Sequence, residues 1–267
     1  MLTNRMTMLI HSCNAYSDLW DGQVTLLERN WKDRNIPTVI LTDENKNNYR
    51  YDNVEILCAG EGKEITERLA AALPHIKTEY VFVTLDDYYL LQPVNNDRIA
   101  YLLDQMDAQS LDYIRLFPVP PSKDSIGDGL YKIHYEEKKS SYYVNLYAGI
   151  WRKSFIEKTL GDKRNAWQYE VSLTPLVREL KTPCAMTYGN EYVFLDVVRK
   201  GKLLHKAYRY FKKDPVYKGT RPVIARREEY KLIFRSAVKK ALPRKAVQRL
   251  KKVMIKRGKT FYSPLDE

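Results

Sequence analysis

The amino-acid sequence predicts an α/β fold with a mostly parallel central sheet. In the first 117 residues, short β-branched apolar runs alternate with segments whose apolar residues recur every three or four positions. The first pattern is typical of buried strands and the second of amphipathic helices, so their alternation favours strands joined by helices. The length of 267 residues and the apolar content of 44% indicate a globular chain with a sizeable core.

The elements of this first half follow one another along the chain. Apolar runs predict strands in "TMLIHSC", "IPTVILTD", "NVEILCAG", "EYVFVTLDD" and "DYIRLFPV". Helical spacing predicts helices in "DLWDGQVTLLERNW", in "KEITERLAAALPHI" and in a segment capped around Asn96 or Asp97. Because ligands of such sheets gather at the carboxyl ends of the strands, we expect the residues that follow the strands to form the site.

From about Pro118 the pattern changes. A loop rich in proline and glycine, "PVPPSKDSIGDG", precedes "LYKIHYEEKKSSYYVNLYAGIW", which predicts a β-hairpin with a turn near 136–140. A helix is expected after Asn165 and should be disturbed at Pro175, since proline inside a helix removes a hydrogen bond. Strands and an ordered loop are expected through "PCAMTYG" and "EYVFLDVVRKGKLLHKAYRYF".

The C-terminal region differs in charge from the rest of the chain. The net charge is +12, and between Arg221 and Thr260 there are 15 Lys or Arg against only Glu228 and Glu229. Residues 1–220 are therefore almost neutral. We predict a domain over 1–220, with halves at 1–117 and 118–220, and a basic amphipathic helical tail over 221–267.

Several classes of protein are disfavoured by the sequence. No uninterrupted apolar window of about 18 residues occurs, so we expect no transmembrane helix. The segment "MLTNRMTMLIHS" lacks a long apolar core and a cleavage site, so a secretory signal is not expected. Cys13, Cys58 and Cys184 lack CxxC spacing, which indicates free thiols in a reducing cytoplasm.

Two adjacent aspartates, Asp86 and Asp87, end the most apolar predicted strand. Neighbouring carboxylates repel each other unless a positive charge lies nearby. A divalent cation that prefers oxygen ligands, Mg²⁺ or Mn²⁺, supplies that charge most simply, and a bound diphosphate would complete its ligands. The alternative is structural: Asp86 caps a turn and Asp87 is solvated.

In its motifs the chain resembles the GT-A-fold glycosyltransferases that use nucleotide sugars, in particular those of bacterial surface-polysaccharide pathways such as capsule and lipopolysaccharide synthesis. The resemblance rests on "YSDLW", "RNWKD", "TEYVFVTLDDYYLLQPV", "DYIRLFPVP", "NLYAGIWRKSFIEKTL" and "NAWQYEVS", which span residues 10 to about 210. It implies a Rossmann-related GT-A-like sandwich. The acidic pair departs from the spaced DxD motif of the family, which leaves open which aspartate binds the metal.

The resemblance also implies roles for individual residues around a UDP- or GDP-linked donor. Asp87 is expected to bind the metal directly, and Asp86 to bind the metal or to contact the ribose. Asp43 is expected to read the base. The remaining donor-site residues implied by the resemblance, some of which have alternative interpretations as turn or surface-loop residues, are His11, Ser12, Asn14, Arg68 and Lys202, with His205 completing the metal ligands.

Glu170 is the predicted catalytic base. Transfer with inversion needs one carboxylate to take the proton of the acceptor hydroxyl as its oxygen attacks the anomeric carbon. Trp167 lies three residues earlier on the same predicted helix, so it shares the face of Glu170 and can stack on a sugar. We expect Trp167 and Tyr147 to contact a saccharide or lipid-linked acceptor. The alternative for Glu170 is a favourable acid in a first helical turn.

The basic tail has three interpretations. A basic amphipathic helix commonly lies on an anionic membrane, which suits a cytoplasmic enzyme bound peripherally to the inner face of a bacterial plasma membrane. The apolar stripe would otherwise pack on the body of the protein. Basic charge interleaved with aromatic residues is also typical of nucleic-acid binding, but the neutral body makes that partner unexpected. A non-catalytic GT-A-like scaffold that only binds nucleotide is the remaining alternative.

Overall fold

The computed structural model describes residues 2–137, 140, 142–231 and 234. The strands are β1 (Met6–His11), β2 (Thr38–Thr42), β3 (Glu55–Cys58), β4 (Tyr80–Leu85), β5 (Tyr88–Leu90), β6 (Tyr113–Arg115), β7 (Ser125–Gly127), β8 (Leu130–Lys132), β9 (Gly149–Arg152), β10 (Cys184–Met186), β11 (Phe194–Asp196), β12 (Val198–Arg199) and β13 (Lys202–Leu203). The helices are α1 (Trp20–Asn30), α2 (Ile65–Ala72), α3 (Asn96–Ala108), α4 (Lys153–Thr159), α5 (Ala166–Leu180) and α6 (His205–Lys213).

Nine strands form one sheet in the order β3-β2-β1-β4-β9-β6-β10-β8-β7. Strands β3, β2, β1 and β4 are parallel neighbours, while β9 runs antiparallel between β4 and β6. Seven of the nine strands point in one direction, since only β8 and β9 are reversed. The predicted α/β sandwich with a mostly parallel central sheet is therefore confirmed.

Both faces of the sheet are covered by helices, which explains why its central strands β1 and β4 are buried along almost their whole length. Met8 and Ile10 of β1 belong to the core that contains residues of α1 and α3. Leu9, between them, belongs to the opposite core, with residues of α2, α4 and α5. Successive side chains of a strand point to opposite faces, so β1 contributes to both cores.

The register of the central strands brings three strand ends together. His11, the last residue of β1, lies opposite Leu41 of β2 and Leu85 of β4. Because these strands are parallel, their carboxyl ends share one edge of the sheet. The segments that follow them, 12–14, 43–44 and 86–87, therefore begin at that same edge.

The predicted β-hairpin over 130–151 is wrong. Strand β8 pairs with β7 and β10, whereas β9 is inserted between β4 and β6, so the two strands are not neighbours. The tyrosine-rich pattern did mark two strands and a polar connection. The partner of each strand is decided by the sheet as a whole, and β9 fills the gap between two parallel strands.

Three further predictions for the second half need correction. The loop over 118–129 contains β7 and is therefore not entirely irregular. Helix α5 continues through Pro175 without ending there. The segment expected to close the domain as strands and a loop contains helix α6, whose buried residues Ala207 and Phe211 are four positions apart. That spacing is helical, but neighbouring tyrosines and basic residues obscured it.

The chain divides into two compact units. The first comprises residues up to Leu195 together with Val216–Gly219, and the second comprises Asp196–Pro215 and the chain from Thr220 onward. In the predicted tail, residues 226–231 and 234 are helical, and the rest of the predicted tail helices lies outside the described residues. Within the described part, no helix has the length and apolar character needed to span a bilayer.

Candidate active site

Asp43 follows β2 directly and is fixed through one carboxylate oxygen. The backbone N–H groups of Asn14 and Glu44 donate to Oδ1 at 2.6 and 2.9 Å, and the Thr42 hydroxyl donates to it at 3.1 Å. Burial opposes ionisation, but these hydrogen bonds outweigh it and lower the pKa of Asp43. Among the described residues no donor reaches Oδ2, so this oxygen can accept a hydrogen bond from a ligand.

Ser12 connects α1 to the first acid of the pair. The indole N–H of Trp20 donates to Ser12 Oγ at 2.6 Å, and the Ser12 hydroxyl donates to Asp86 Oδ2. The backbone N–H of Asp86 also donates to the carbonyl of His11 at 3.1 Å. Ser12, Trp20 and Asp86 are all buried. Asp86 is thus an oriented internal carboxylate on the α1 side of the sheet.

Asn14 joins the loops that follow β1 and β2. Its backbone N–H donates to Asp43, as described above, while its side-chain Oδ1 accepts from the backbone N–H of Lys46 at 3.1 Å. The two loops are therefore held to each other by side-chain to backbone hydrogen bonds. This arrangement fixes the position of the Asp43 carboxylate relative to the end of β1.

Asp87 has a different environment from its neighbour. It is partly exposed, whereas Asp86 is only 7% exposed. Both residues lie in the turn that joins β4 to β5. Of the pair, Asp87 is therefore the acid more accessible to a ligand at the sheet edge.

His11 lies in the interior rather than on an open surface. Its side chain is 3% exposed and lines a narrow crevice with Leu69, Leu146 and Trp151. Neither ring nitrogen has a hydrogen-bond partner among the described residues. Burial, with a smaller contribution from the Arg68 charge, lowers the pKa of His11 to about 3. The imidazole is therefore neutral near pH 7.

Arg68 supplies positive charge near His11 and Cys13. It extends from α2, where Nη1 donates to the carbonyl of Lys63 at 2.6 Å. Burial raises the pKa of the Cys13 thiol; the charge of Asp86 raises it further, while that of Arg68 lowers it. The cation of Arg68 and the anion of Asp86 thus both lie within electrostatic range of Cys13, which stands between Ser12 and Asn14.

Glu170 lies near the start of α5 and contacts the segment before β9. Its Oε1 accepts a hydrogen bond from the backbone N–H of Leu146 at 3.1 Å. The start of α5 is fixed by a reciprocal cap, in which Asn165 and Gln168 exchange two hydrogen bonds of 3.0 Å. The carboxylate is partly exposed, so it combines a fixed orientation with access to a ligand.

Of the two predicted acceptor residues, Tyr147 lies in an aromatic cluster and Trp167 lies at the surface. Trp167 is 64% exposed on the first turn of α5. Tyr147 stacks on Phe117, with ring centroids 4.2 Å apart, and on Tyr88 at 5.5 Å, while Phe194 lies 4.2 Å from Tyr88. Tyr88 directly follows Asp87 and Tyr147 directly follows Leu146, so this aromatic cluster adjoins both acidic parts of the site.

Lys202 and His205 belong to the second unit. Lys202 Nζ forms an ion pair with Glu228 at 2.9 Å, and His205 Nδ1 lies 2.6 Å from Glu229 Oε2. Their predicted roles toward the diphosphate and the metal stay predictions. The contacts with Glu228 and Glu229 show what these side chains bind within their own unit.

The donor set at the end of β4 fits a cation that is shared with a substrate. Within the described residues, no group of three or more His, Cys, Asp or Glu side chains is arranged to hold a metal. Mg²⁺ is commonly bound through one or two carboxylates and substrate phosphates rather than by a cage of protein ligands. The Asp86–Asp87 pair suits the shared arrangement, and Asp87 is the more accessible carboxylate.

The sequence analysis missed Arg115, a buried residue that holds two segments near the site. Arg115, at the end of β6, is fully buried and donates to the carbonyls of Phe117, Tyr143 and Pro120. Burial lowers its pKa, and no carboxylate partner occurs among the described residues. Arg115 therefore ties the loop after β6 to the segment that leads to Tyr147. An arginine inside "DYIRLF" is the one sequence signal that could have revealed it.

Comparisons with known proteins give similarity at the level of structure only. No protein-family model and no curated protein sequence matches the chain. A crystal structure of S. aureus TarS matches with a TM-score of 0.49 and 14% identity, covering 74% of this chain and 37% of that chain. TarS 1–349 in complex with UDP matches with a TM-score of 0.48 and 14% identity, covering 70% of this chain and 59% of that chain. The complex of TarS 1–349 with UDP-GlcNAc matches with a TM-score of 0.45 and 13% identity, covering 74% of this chain and 60% of that chain. The chain thus spans less than two thirds of the length of each.

Proposed function

We propose that the protein is a glycosyltransferase that moves a sugar from a nucleoside diphosphate sugar to a saccharide or lipid-linked acceptor. The observation that carries the proposal is the placement of Asp43, Asp86 and Asp87 at one edge of the sheet, where β2 and β4 end. Ligands of open α/β sheets bind at that edge. Asp43 offers a fixed oxygen that can accept a hydrogen bond, and Asp86 and Asp87 offer a pair of carboxylates. Together they suit a ligand that has an N–H group and a diphosphate.

The donor nucleotide is proposed to bind at the ends of β1 and β2. Asp43 Oδ2 accepts an N–H of the base, in the way that a carboxylate pairs with the imino group of uracil or with guanine. Ser12 and Asn14 hold the loops that form this pocket, and His11 supports its floor as a neutral ring. Arg68 is proposed to contact the diphosphate, because its charge lies within electrostatic range of Cys13 after the end of β1.

The acidic pair is proposed to hold Mn²⁺ or Mg²⁺ together with the donor. Asp87 is the proposed direct ligand, and Asp86, which accepts a hydrogen bond from Ser12, is proposed to bind the ribose or a metal-bound water. When bound, the cation would offset the negative charge that develops on the departing diphosphate.

Glu170 is the proposed general base. The acceptor hydroxyl oxygen forms the new bond to the anomeric carbon while the bond from that carbon to the diphosphate breaks. The hydroxyl proton passes to Glu170, and the nucleoside diphosphate takes the bonding electron pair. Inversion at the anomeric carbon follows from this single displacement. The Leu146 N–H fixes the orientation of the carboxylate, which is a requirement for an efficient base.

The acceptor is proposed to lie between Trp167 and the aromatic cluster that contains Tyr147. An exposed tryptophan three residues before Glu170 offers a flat apolar face to a sugar ring. We also propose that the reaction belongs to bacterial cell-surface polysaccharide synthesis at the cytoplasmic side of the membrane. This placement rests on the sequence resemblance and on the basic tail.

The test is a thermal-shift panel of UDP- and GDP-linked sugars, each with and without Mn²⁺, followed by a turnover assay on the ligands that bind. A ligand that binds only the folded state raises the melting temperature. We expect a shift that needs both the nucleotide and the cation, and slow hydrolysis or transfer of the sugar. Cation-dependent binding with no turnover on any acceptor would instead identify a non-catalytic nucleotide-binding scaffold.

A further inference from the structure

We infer that the second unit carries its own binding surface for anionic lipid headgroups, on α6 and on the helical residues 226–231 and 234. This inference goes beyond sugar transfer and uses none of the carboxylates of the proposed active site. It is carried by three observations: an exposed basic face on α6, acids that are turned to internal partners, and exposed aromatic rings beside the basic residues.

Helix α6 presents one face that is entirely basic and aromatic. Ala207 and Phe211 are buried, and they fix which side of the helix packs inward. The side chains on the opposite side are exposed and occupy an arc of about 160° at about 3.6 residues per turn. They are Lys206, Tyr208, Arg209, Lys212 and Lys213. Lys212 Nζ also lies 4.8 Å from the ring centroid of Tyr208. The face contains no acid of α6 itself; His205, which falls within the same arc, pairs with Glu229.

The acids of the second unit that the structure describes each have a partner within that unit. Asp196 pairs with Arg199 at 3.1 Å, and Asp214 accepts from the Tyr210 hydroxyl at 3.0 Å. Glu228 and Glu229 pair with Lys202 and His205, as described above. In 196–215 and 220–231 there are eleven Lys or Arg against these four acids, a balance of +7. The internal pairs leave the positive excess on the exposed side chains.

The helical residues 226–231 and 234 add aromatic rings to this charge. Arg227, Tyr230, Lys231 and Phe234 are spaced at i, i+3, i+4 and i+7, which places them on one face, and they line a shallow surface groove. Tyr230 and Phe234 are each 69% exposed. Large apolar rings at the surface, set among cations, match the chemistry of a bilayer interface, where rings enter the headgroup layer and cations bind its phosphates.

An anionic membrane is favoured over nucleic acid by the exposed phenylalanine. Phosphate binding in either partner needs only the cations, but Phe234 has no polar group and gains most from leaving water. The sequence beyond residue 234 continues with Lys and Arg, which adds to the attraction. The cations of α6 would then bind several lipid phosphates at once, and binding would weaken as salt screens the charges.

The test is co-sedimentation of the full-length protein with vesicles of phosphatidylglycerol and phosphatidylcholine, against vesicles of phosphatidylcholine alone. We expect binding only to the anionic vesicles. Each cation near such a surface contributes about fivefold to partitioning, so Lys206→Gln/Arg209→Gln should lower it about 25-fold. The matched control, Lys32→Gln/Lys77→Gln, removes the same charge from exposed positions of the first unit and should leave partitioning within about twofold.

A second variant separates the aromatic contribution from the charge. Tyr230→Ser/Phe234→Ser keeps every charge and should still lower partitioning onto the anionic vesicles, because it removes the two exposed rings. The inference would be overturned by an equal loss of partitioning in the control variant or by unchanged partitioning in both surface variants. It would also be overturned by binding to neutral vesicles, or by tighter binding to a nucleic-acid duplex than to anionic vesicles. Nucleotide-dependent thermal shifts in the same variants report on the proposed active site separately.

Discussion

Asp86 and Asp87 are chemically identical neighbours with different environments. Asp86 is buried against Ser12 and Trp20, while Asp87 remains partly exposed at the sheet edge. The sequence motif predicted an acidic pair at a strand end, which the structure confirms. It could not reveal which carboxylate is internal, because that depends on the indole of Trp20, which the sequence places on a separate helix.

The first prediction concerns the charge of Asp87. Asp87→Asn keeps the size of the side chain but removes its negative charge, so the nucleotide should bind more weakly in Mn²⁺. Transfer should fall by about 100-fold or more, since charge stabilisation by a metal is worth several kcal/mol. Calorimetry and a transfer assay measure the two effects. Asp52→Asn, an exposed acid, is the control, and full activity in Asp87→Asn would remove this residue from the site.

The second prediction separates proton transfer from binding. In Glu170→Gln the amide oxygen still accepts the Leu146 N–H, so the fold and donor affinity should be kept. The turnover number should fall by about 100- to 10,000-fold, as expected on loss of a general base. Donor affinity is measured by calorimetry and turnover by product formation. Glu157→Gln on α4 should behave as the unaltered protein. A large loss of donor affinity would argue for a different role.

The third prediction uses the buried ring of His11. The pKa of His11 is about 3 in the folded protein, against about 6.5 in the unfolded chain. The unfolded state therefore takes up the proton first as pH falls, so this contribution to stability is complete above about pH 6.5 and decreases below it. Between pH 7 and pH 5 it should lower the free energy of unfolding by about 2 kcal/mol.

Urea unfolding at the two pH values measures this effect. His11→Leu should lose that part of the pH dependence, because it removes the titrating ring. His75→Gln, which alters an exposed histidine, should keep it. An identical pH dependence in His11→Leu and in the unaltered protein would contradict the assignment of this effect to the buried ring.

At the scale of elements, helix α5 shows how local sequence fixes the site. Asn165 was predicted to precede the helix, and it forms the reciprocal cap with Gln168. The predicted cap of α3 was one residue late, since the side chain of Asn95 accepts from Asp97 and Arg98. Helix caps of this kind can be predicted from the sequence because they depend on residues within one helical turn.

The pairing of strands cannot be predicted from the local sequence in the same way. The pattern before β9 marked a strand correctly, but its neighbours β4 and β6 are distant in sequence. Leu146 illustrates the consequence for the site. Its backbone N–H contacts Glu170 only because β9 enters the middle of the sheet, so no local pattern could have predicted this hydrogen bond.

The fourth prediction follows from the cap. Asn165→Ala should lower the free energy of unfolding by about 1 kcal/mol, because the N–H of Gln168 loses its acceptor. Turnover should also fall, since the helix start that carries Trp167 and Glu170 becomes less fixed. Chemical unfolding and a transfer assay measure the two effects. Asn165→Asp retains the acceptor oxygen and should cost only a few tenths of a kcal/mol, and equal losses in both variants would argue against the cap.

On the scale of the whole molecule, the chain returns to a unit it has already left. Residues 216–219 belong to the first unit, although Asp196–Pro215 before them form part of the second. The Tyr217 hydroxyl donates to Asp18 Oδ2 at 2.9 Å, which joins positions almost 200 residues apart. The sequence revealed the neutral body and the basic C-terminal region, but no change in composition marks this return.

The fifth prediction tests that return. Tyr217→Phe keeps the ring but removes the donor to Asp18, which should lower the free energy of unfolding by about 1–2 kcal/mol. Tyr208→Phe removes a hydroxyl from the exposed face of α6 and serves as the control, with no measurable loss. Chemical unfolding of both variants measures the difference. Equal stability of the two would mean that the returning segment contributes nothing through this hydrogen bond.

The same return has a consequence during synthesis on the ribosome. The contact with Asp18 cannot form until residue 217 has emerged from the exit tunnel, long after the central sheet is complete. At about 5–20 residues per second, residues 196–219 take about one to five seconds to translate. During that interval the nascent first unit lacks the hydrogen bond between Tyr217 and Asp18. The rate of translation therefore determines when this contact can form.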